Sequence, residues 1–200
     1  MLACSRVVAL NPMSLADVLA DVRRIADAAD VAERGRELAL CLQQRIDAVI
    51  RAIEPLAASE RPRTAIVEWT EPLMLAGNWM PELLTLAGGA CTLAVAGRHS
   101  EYVAWERIVA FDPQAIVVAP CGFGLERSLR EAAALSSRPS WRELSAVRDR
   151  RVYAVDGNAY FNRSGPRLVD SLEILAHLLH PDRVPRPSWA NEPNPPWQAV

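Results

Sequence analysis

The chain has 200 residues, half of them apolar, which suffices for one domain with a sizeable core, or one large lobe with an appended helix, but not for two full domains. Its 22 basic and 24 acidic residues nearly cancel, so no single-sign field points to nucleic acid or an anionic membrane surface, and small-molecule or protein partners are favoured. All the basic residues are arginine, which removes a phosphate-loop lysine, Schiff-base chemistry and pyridoxal phosphate anchoring from the enzyme options.

Arg6 to Leu10 reads as a strand, followed by a helix capped by Ser14 with Asp17 three residues on and with Leu15, Val18, Leu19, Val22 and Ile25 on one face. A second cap, Asp30 with Glu33, opens a stretch reaching about Ser59 in which Leu38, Leu42, Ile46, Val49, Ile50 and Ile53 keep helical spacing. That predicts a helix of about 25 residues, roughly 38 Å long; a bundle or coiled-coil arm is the alternative reading, since the apolar stripe is imperfect. After Arg61-Pro62-Arg63 the rhythm changes to short apolar strands alternating with helices, the pattern of a parallel sheet covered on both faces. Strands are expected at Thr64 to Trp69, Thr92 to Val95, Ala115 to Ala119 and Arg151 to Val155. Helices are expected at about Trp79 to Ala87, Tyr102 to Phe111, Leu125 to Leu135, Trp141 to Val147 and Pro166 to Leu179. From about Asp182 to Val200 repeated prolines and weak periodicity predict a loose tail, with Trp189 and Trp197 the only residues that suggest docking.

In open parallel sheets the ligand sits beyond the carboxyl ends of the strands. The segments there are rich in aromatic, amide and glycine residues: Trp69 onward to Asn78 and Trp79, Arg98-His99-Ser100, Pro120 to Gly124, and Asp156 to Arg163 with Tyr160 and Phe161. Large flat rings among amide donors and acceptors suit a rigid, partly polar ligand held by contact area and a few hydrogen bonds. The bland alternative is that Trp69, Trp79 and Phe161 are core aromatics at the ends of strands and helices.

Other motifs are weaker. Gly122-Phe-Gly124 lacks the third glycine and the later acidic residue of a dinucleotide loop. His177 and His180, near Asp182, could form a metal trio, but histidines at a helix end more often satisfy terminal carbonyls. Cys4, Cys41, Cys91 and Cys121 form no C-x-x-C pair, which argues against a zinc ribbon or dithiol motif. No serine sits in a G-x-S-x-G turn, so covalent catalysis has no positive signal and the expected chemistry is binding without catalysis, metal or cofactor. No apolar run approaches the roughly 18 residues of a membrane span, and the first residues carry no export signal, so the chain as written is expected in the cytoplasm.

These residues resemble a known family, the substrate-binding proteins of iron-siderophore and cobalamin ABC importers, in which one long helix bridges two α/β lobes, and the match is specific in its cobalamin-binding branch. The resemblance is carried by Val7 to Leu15, by Val67-Glu-Trp-Thr-Glu-Pro-Leu73 with Ala76-Gly-Asn-Trp-Met-Pro-Glu-Leu83, by Leu86-Ala-Gly-Gly89, by Asp112 to Val118 with Pro120 to Phe123, and by Arg151 to Gly157 with Tyr160 to Arg167. It covers about residues 6 to 181. It implies an α/β fold in which residues 30–60 form a long inter-lobe helix and 61–181 one Rossmann-like ligand-binding lobe with a mostly parallel sheet covered by helices. Residues 1–29 would be a remnant of the N-terminal lobe, the rest of which is expected to be absent, and 182–200 a proline-rich tail. The implied function is non-covalent capture of cobalamin or a related chelate for an ABC permease. Trp69, Asn78, Trp79, Ser100, Tyr160 and Phe161 are the implied ligand contacts, and Glu106 the carboxylate that docks on permease arginines. A separate chain supplying the other lobe, or a homodimer, would complete the cleft, and an upstream extension would move the protein to an extracytoplasmic location. Two alternatives stay open: a truncated remnant that binds nothing, and a small α/β enzyme acting on a corrinoid or nucleotide.

Overall fold

The computed structural model describes residues 7–190 and 195–200. It opens with a helical hairpin, α1 (Leu15–Ala28) and α2 (Ala32–Ile53). Ser14 caps α1 as the sequence predicts: its hydroxyl accepts the Asp17 amide at 3.1 Å while Asp17 returns a carboxylate to the Ser14 amide at 3.1 Å. α2 has 22 residues, and its N-cap is Val31, one position later than expected and without a side-chain cap, because Asp30 takes a left-handed φ of 56° in the turn. The two helices touch closely at Gly35, where a Cβ would overlap the Ala26 methyl.

The strand expected at Arg6 to Leu10 is corrected. Arg6 lies outside the described residues, and Val7 to Leu10 pair with no strand among the described residues; Val7 is 86% exposed. An apolar run becomes a strand only where a sheet edge can take its amides and carbonyls, and here the segment is held instead by Arg24, which donates to the Ala9 carbonyl at 3.0 Å.

The rest is one α/β lobe. In chain order come β1 (Thr64–Thr70), β2 (Leu73–Leu75), α3 (Met80–Leu86), β3 (Glu101–Tyr102), α4 (Trp105–Phe111), β4 (Ala115–Val118), α5 (Leu125–Leu135), α6 (Ser145–Arg148), β5 (Val152–Val155), α7 (Leu168–Leu179) and β6 (Trp197–Ala199). The sheet order is β3-β2-β1-β4-β5-β6. It is a mixed sheet: β1, β4 and β5 run parallel at its centre, and β2, β3 and β6 join antiparallel at its margins. The expected strand at Thr92 to Val95 is absent, since β2 occupies that edge of β1 and only Ala90 pairs there, with Arg63. The tail is not loose throughout, for β6 pairs with β5 and Trp197 is buried under Arg186 and beside His177.

Alternation along the central strand sorts the core into two layers. Ala115 and Val117 face α1, α2, α3 and α7, while Ile116 and Val118 face Ile108 of α4, Leu135 of α5 and Trp141. α1 contributes Leu15, Val18, Leu19 and Val22 to the same core as α7, and the Leu15 amide donates to Glu82 of α3 at 3.0 Å. No described helix is long and apolar enough to cross a membrane.

Candidate functional site

Three parallel strands bring three loops to one end of the sheet. The Cys121 amide donates to the Glu68 carbonyl at 3.2 Å, the Asn158 amide to the Phe123 carbonyl at 3.0 Å, and the Asn162 side chain to the Ala119 and Pro120 carbonyls at 3.2 and 3.1 Å. Gly157 is needed where β5 ends, because a Cβ there would run into the Pro120 carbonyl. On this platform the Trp69 ring meets the Phe123 ring at 5.3 Å, with the Arg127 guanidinium 4.9 Å over Phe123.

Asn78, Trp79 and Ser100 form a second, linked cluster. Asn78 has a left-handed φ of 52°, and its amide and carbonyl are taken by Arg98 and Gly97, so the loop before β3 is clasped to the turn after β2. The Ser100 hydroxyl accepts the Gly77 amide at 2.9 Å and donates to the Glu68 carboxylate at 2.6 Å. The half-buried Trp79 donates its indole N–H to the Phe161 carbonyl at 3.1 Å, joining this cluster to the loop after β5.

That loop is a π-helical turn, Gly157–Phe161, started by Asp156, whose carboxylate accepts the Ala159 amide at 2.8 Å. Its two aromatics part company. Tyr160 stays half-exposed between Trp189, 5.5 Å away and stacked, and the Arg167 guanidinium at 5.9 Å; it borders a cavity of about 470 Å³ with Leu125, Leu129, Pro195 and Pro196. Partial burial, with the Asp170 charge, raises its hydroxyl above the ordinary tyrosine range. Phe161 points the other way and is 1% exposed within the core, so the expectation that its ring lines the cleft is corrected: the π turn aims it inward and leaves only its carbonyl near the site.

Glu106 stands apart from these groups, exposed in the first turn of α4, next to a Trp105 ring that stacks on Trp141 at 6.1 Å. His177 and His180 contact the Val184 and Gly88 carbonyls at 2.9 and 3.1 Å, and the described residues contain no group of three His, Cys, Asp or Glu side chains placed for a metal. Cys121 is exposed beside Glu68; partial burial, then the Glu68 charge, raise its thiol above the ordinary range, which keeps it neutral and a poor nucleophile. Sequence reasoning named neither Glu68 nor Trp189 as a site residue. For Glu68 a signal existed, a carboxylate at the carboxyl end of an otherwise apolar strand.

A Rossmann-like lobe with such an end is shared by a large class of binding proteins, and here the class is defined: the chain belongs to the periplasmic binding protein family, whose sequence profile matches residues 5–159. Over 77 residues the chain is 40% identical to an uncharacterized ABC transporter substrate-binding lipoprotein, YvrC of Bacillus subtilis (strain 168), covering 38% of this chain and 22% of that protein. Among solved structures, an ABC transporter substrate-binding protein from Listeria monocytogenes EGD-e superposes with a TM-score of 0.72 at 19% identity, covering 84% of this chain and 65% of that one. The periplasmic heme-binding protein RhuT from Roseiflexus sp. RS-1, in its apo form, gives 0.69 at 25% identity, covering 84% and 64%. In each case the match spans less than two-thirds of the relative's own length.

Proposed function

We propose that this chain supplies a ligand-binding lobe of the substrate-binding component of an ABC importer, and that its cargo is a flat metal-macrocycle chelate, cobalamin foremost. The observation that carries the reading is the Trp69–Phe123 ring pair at the strand ends, with Ser100 holding Glu68 at the end of β1 and the loop after β5 carrying Tyr160. Flat rings bind by area, and a few polar groups fix their orientation. Several of the sequence segments similar to the cobalamin-binding branch, Val67 to Leu73, Pro120 to Phe123 and Tyr160 to Arg167, run through these loops. In this reading Trp69, Asn78, Trp79, Ser100 and Tyr160 serve the ligand, and Glu106, exposed on α4, meets permease arginines on the extracytoplasmic side, the location that the lipoprotein YvrC suggests. An iron porphyrin is also a metal macrocycle with a broad ring face, and the heme-binding neighbour makes it the competing cargo.

Titration of the chain with cyanocobalamin, hemin and a ferric hydroxamate, followed by tryptophan quenching and by the macrocycle's visible bands, separates these cargoes. Cyanocobalamin is expected to bind most tightly, with a Kd of about 1 μM or weaker because a single wall leaves much of the ligand wet. A chain that responds to none of the three up to about 1 mM, a range in which binding is worth only about 4 kcal/mol, sinks the reading. A chain that answers only to hemin moves the cargo to porphyrins.

A further inference from the structure

The Glu68 carboxylate ends an ordered relay. The Gly77 amide donates to Ser100 Oγ at 2.9 Å, and that hydroxyl spends its only proton on Glu68 Oε2 at 2.6 Å. The carbonyl of Glu68 is held by the Cys121 amide, so the residue is fixed from both sides, while Oε1 accepts nothing among the described residues. Ser100 therefore positions Glu68, and the half-exposed carboxylate is the group with acceptor capacity left.

A carboxylate held in this way, with one oxygen still able to accept, matches the N–H of a primary amide. A carboxylate arm would meet like charge at Glu68 and find no proton there to share. Building on the cargo reading above, we infer that Glu68 is a specificity-determining residue that selects macrocycles with carboxamide side arms and rejects those with carboxylate arms, and that Ser100 is its positioning residue. Corrinoids such as cobinamide carry amide arms around the ring; their heptacarboxylate relatives and the porphyrin propionates do not.

The test uses the intact chain and two probes with the same corrin ring, dicyanocobinamide and dicyanocobyrinic acid. Wild type should prefer the amide form. Glu68→Gln should lose about tenfold for cobinamide, the scale of one charge-assisted hydrogen bond, and gain for cobyrinic acid, so that the preference narrows or inverts. Glu68→Asp keeps the charge but shortens the reach, and should lose cobinamide affinity while still rejecting cobyrinic acid. Ser100→Ala should move the preference the same way as Glu68→Gln but less, with no further change in the Glu68→Gln background. A wild type that prefers cobyrinic acid, or a cobinamide preference that Glu68→Gln leaves intact, overturns this inference while leaving the corrinoid reading standing. A wild type that binds neither corrin overturns both.

Discussion

Arg45 on α2 and Glu173 on α7 form a two-pronged ion pair, Nε to Oε1 at 2.8 Å and Nη2 to Oε2 at 2.7 Å, and the same Nη2 reaches Asp170 at 2.6 Å. Glu173 Oε2 also accepts the Trp189 indole N–H at 2.7 Å, and Trp189 stacks on Tyr160. One guanidinium thus ties the long helix to the last helix and, through Trp189, to a residue of the candidate site. The Glu173 hydrogen bond raises Arg45 beyond its ordinary range, so it stays charged at every accessible pH. Arg45→Ala would leave two half-buried carboxylates side by side. A loss of about 1 to 3 kcal/mol in urea unfolding is expected, below the buried-pair range because the guanidinium is 30% exposed. A loss under about 0.5 kcal/mol, the level of an exposed pair, would show that this bridge does not hold the helices together.

His180 follows α7 and sits half-buried against the Gly88 carbonyl. Burial lowers its pKa from the ordinary 6.5, and the Gly88 carbonyl only partly counters that. A lowered value means the folded protein favours neutral imidazole, so the unfolded chain binds the proton first and stability falls as pH drops from 6.5 through the folded value. Thermal melts between about pH 7.5 and 5 should show this decline, and His180→Gln should flatten it. An unchanged slope in the variant would assign the acid sensitivity elsewhere.

What the sequence disclosed depended on range. The capping box at Ser14 and Asp17 and the bounds of α5 were readable because both signals lie within a few turns of one helix. Trp197 was read as a docking residue, but the strand it opens was missed, because three residues among prolines leave no alternation and its pairing with Val155 lies more than forty positions away in the chain. Glu68 shows the same limit at the site: as a residue type it is one carboxylate in a strand, and only Ser100 and Cys121, brought by other loops, give it a role. Phe161 could not be told from Trp79 as a core ring, since its inward aim is set by a π-helical turn that no local signal announces.

Those two aromatics now separate into different experiments. Phe161→Ala removes a fully buried ring and should cost about 3 to 5 kcal/mol of stability. Trp79→Ala, at a half-buried ring, should cost less and instead weaken macrocycle binding by the titration described above. Equal stability losses for the two variants, with ligand response intact in Trp79→Ala, would make both rings core and move the site elsewhere.

Gly77 tests whether the loop clasp controls the site. A Cβ at this position would overlap the Arg98 carbonyl, the His99 carbonyl carbon and the Ser100 amide nitrogen, all of them backbone atoms that cannot swing aside as a flexible side chain would. Gly77→Ala must therefore push the loop before β3 away, and the first casualty is the 2.9 Å bond from the Gly77 amide to Ser100 Oγ, followed by the Ser100 grip on Glu68. Overpacking of this kind should cost about 1 to 3 kcal/mol, and β3, an edge strand with a two-residue pairing to β2, should lose amide-exchange protection while β4 keeps it. The corrin preference should shift in the direction of Ser100→Ala. If Gly77→Ala lowers stability but leaves both the protection of Tyr102 and the preference between amide and carboxylate corrins unchanged, the clasp is a packing contact only and Glu68 is oriented by something other than Ser100.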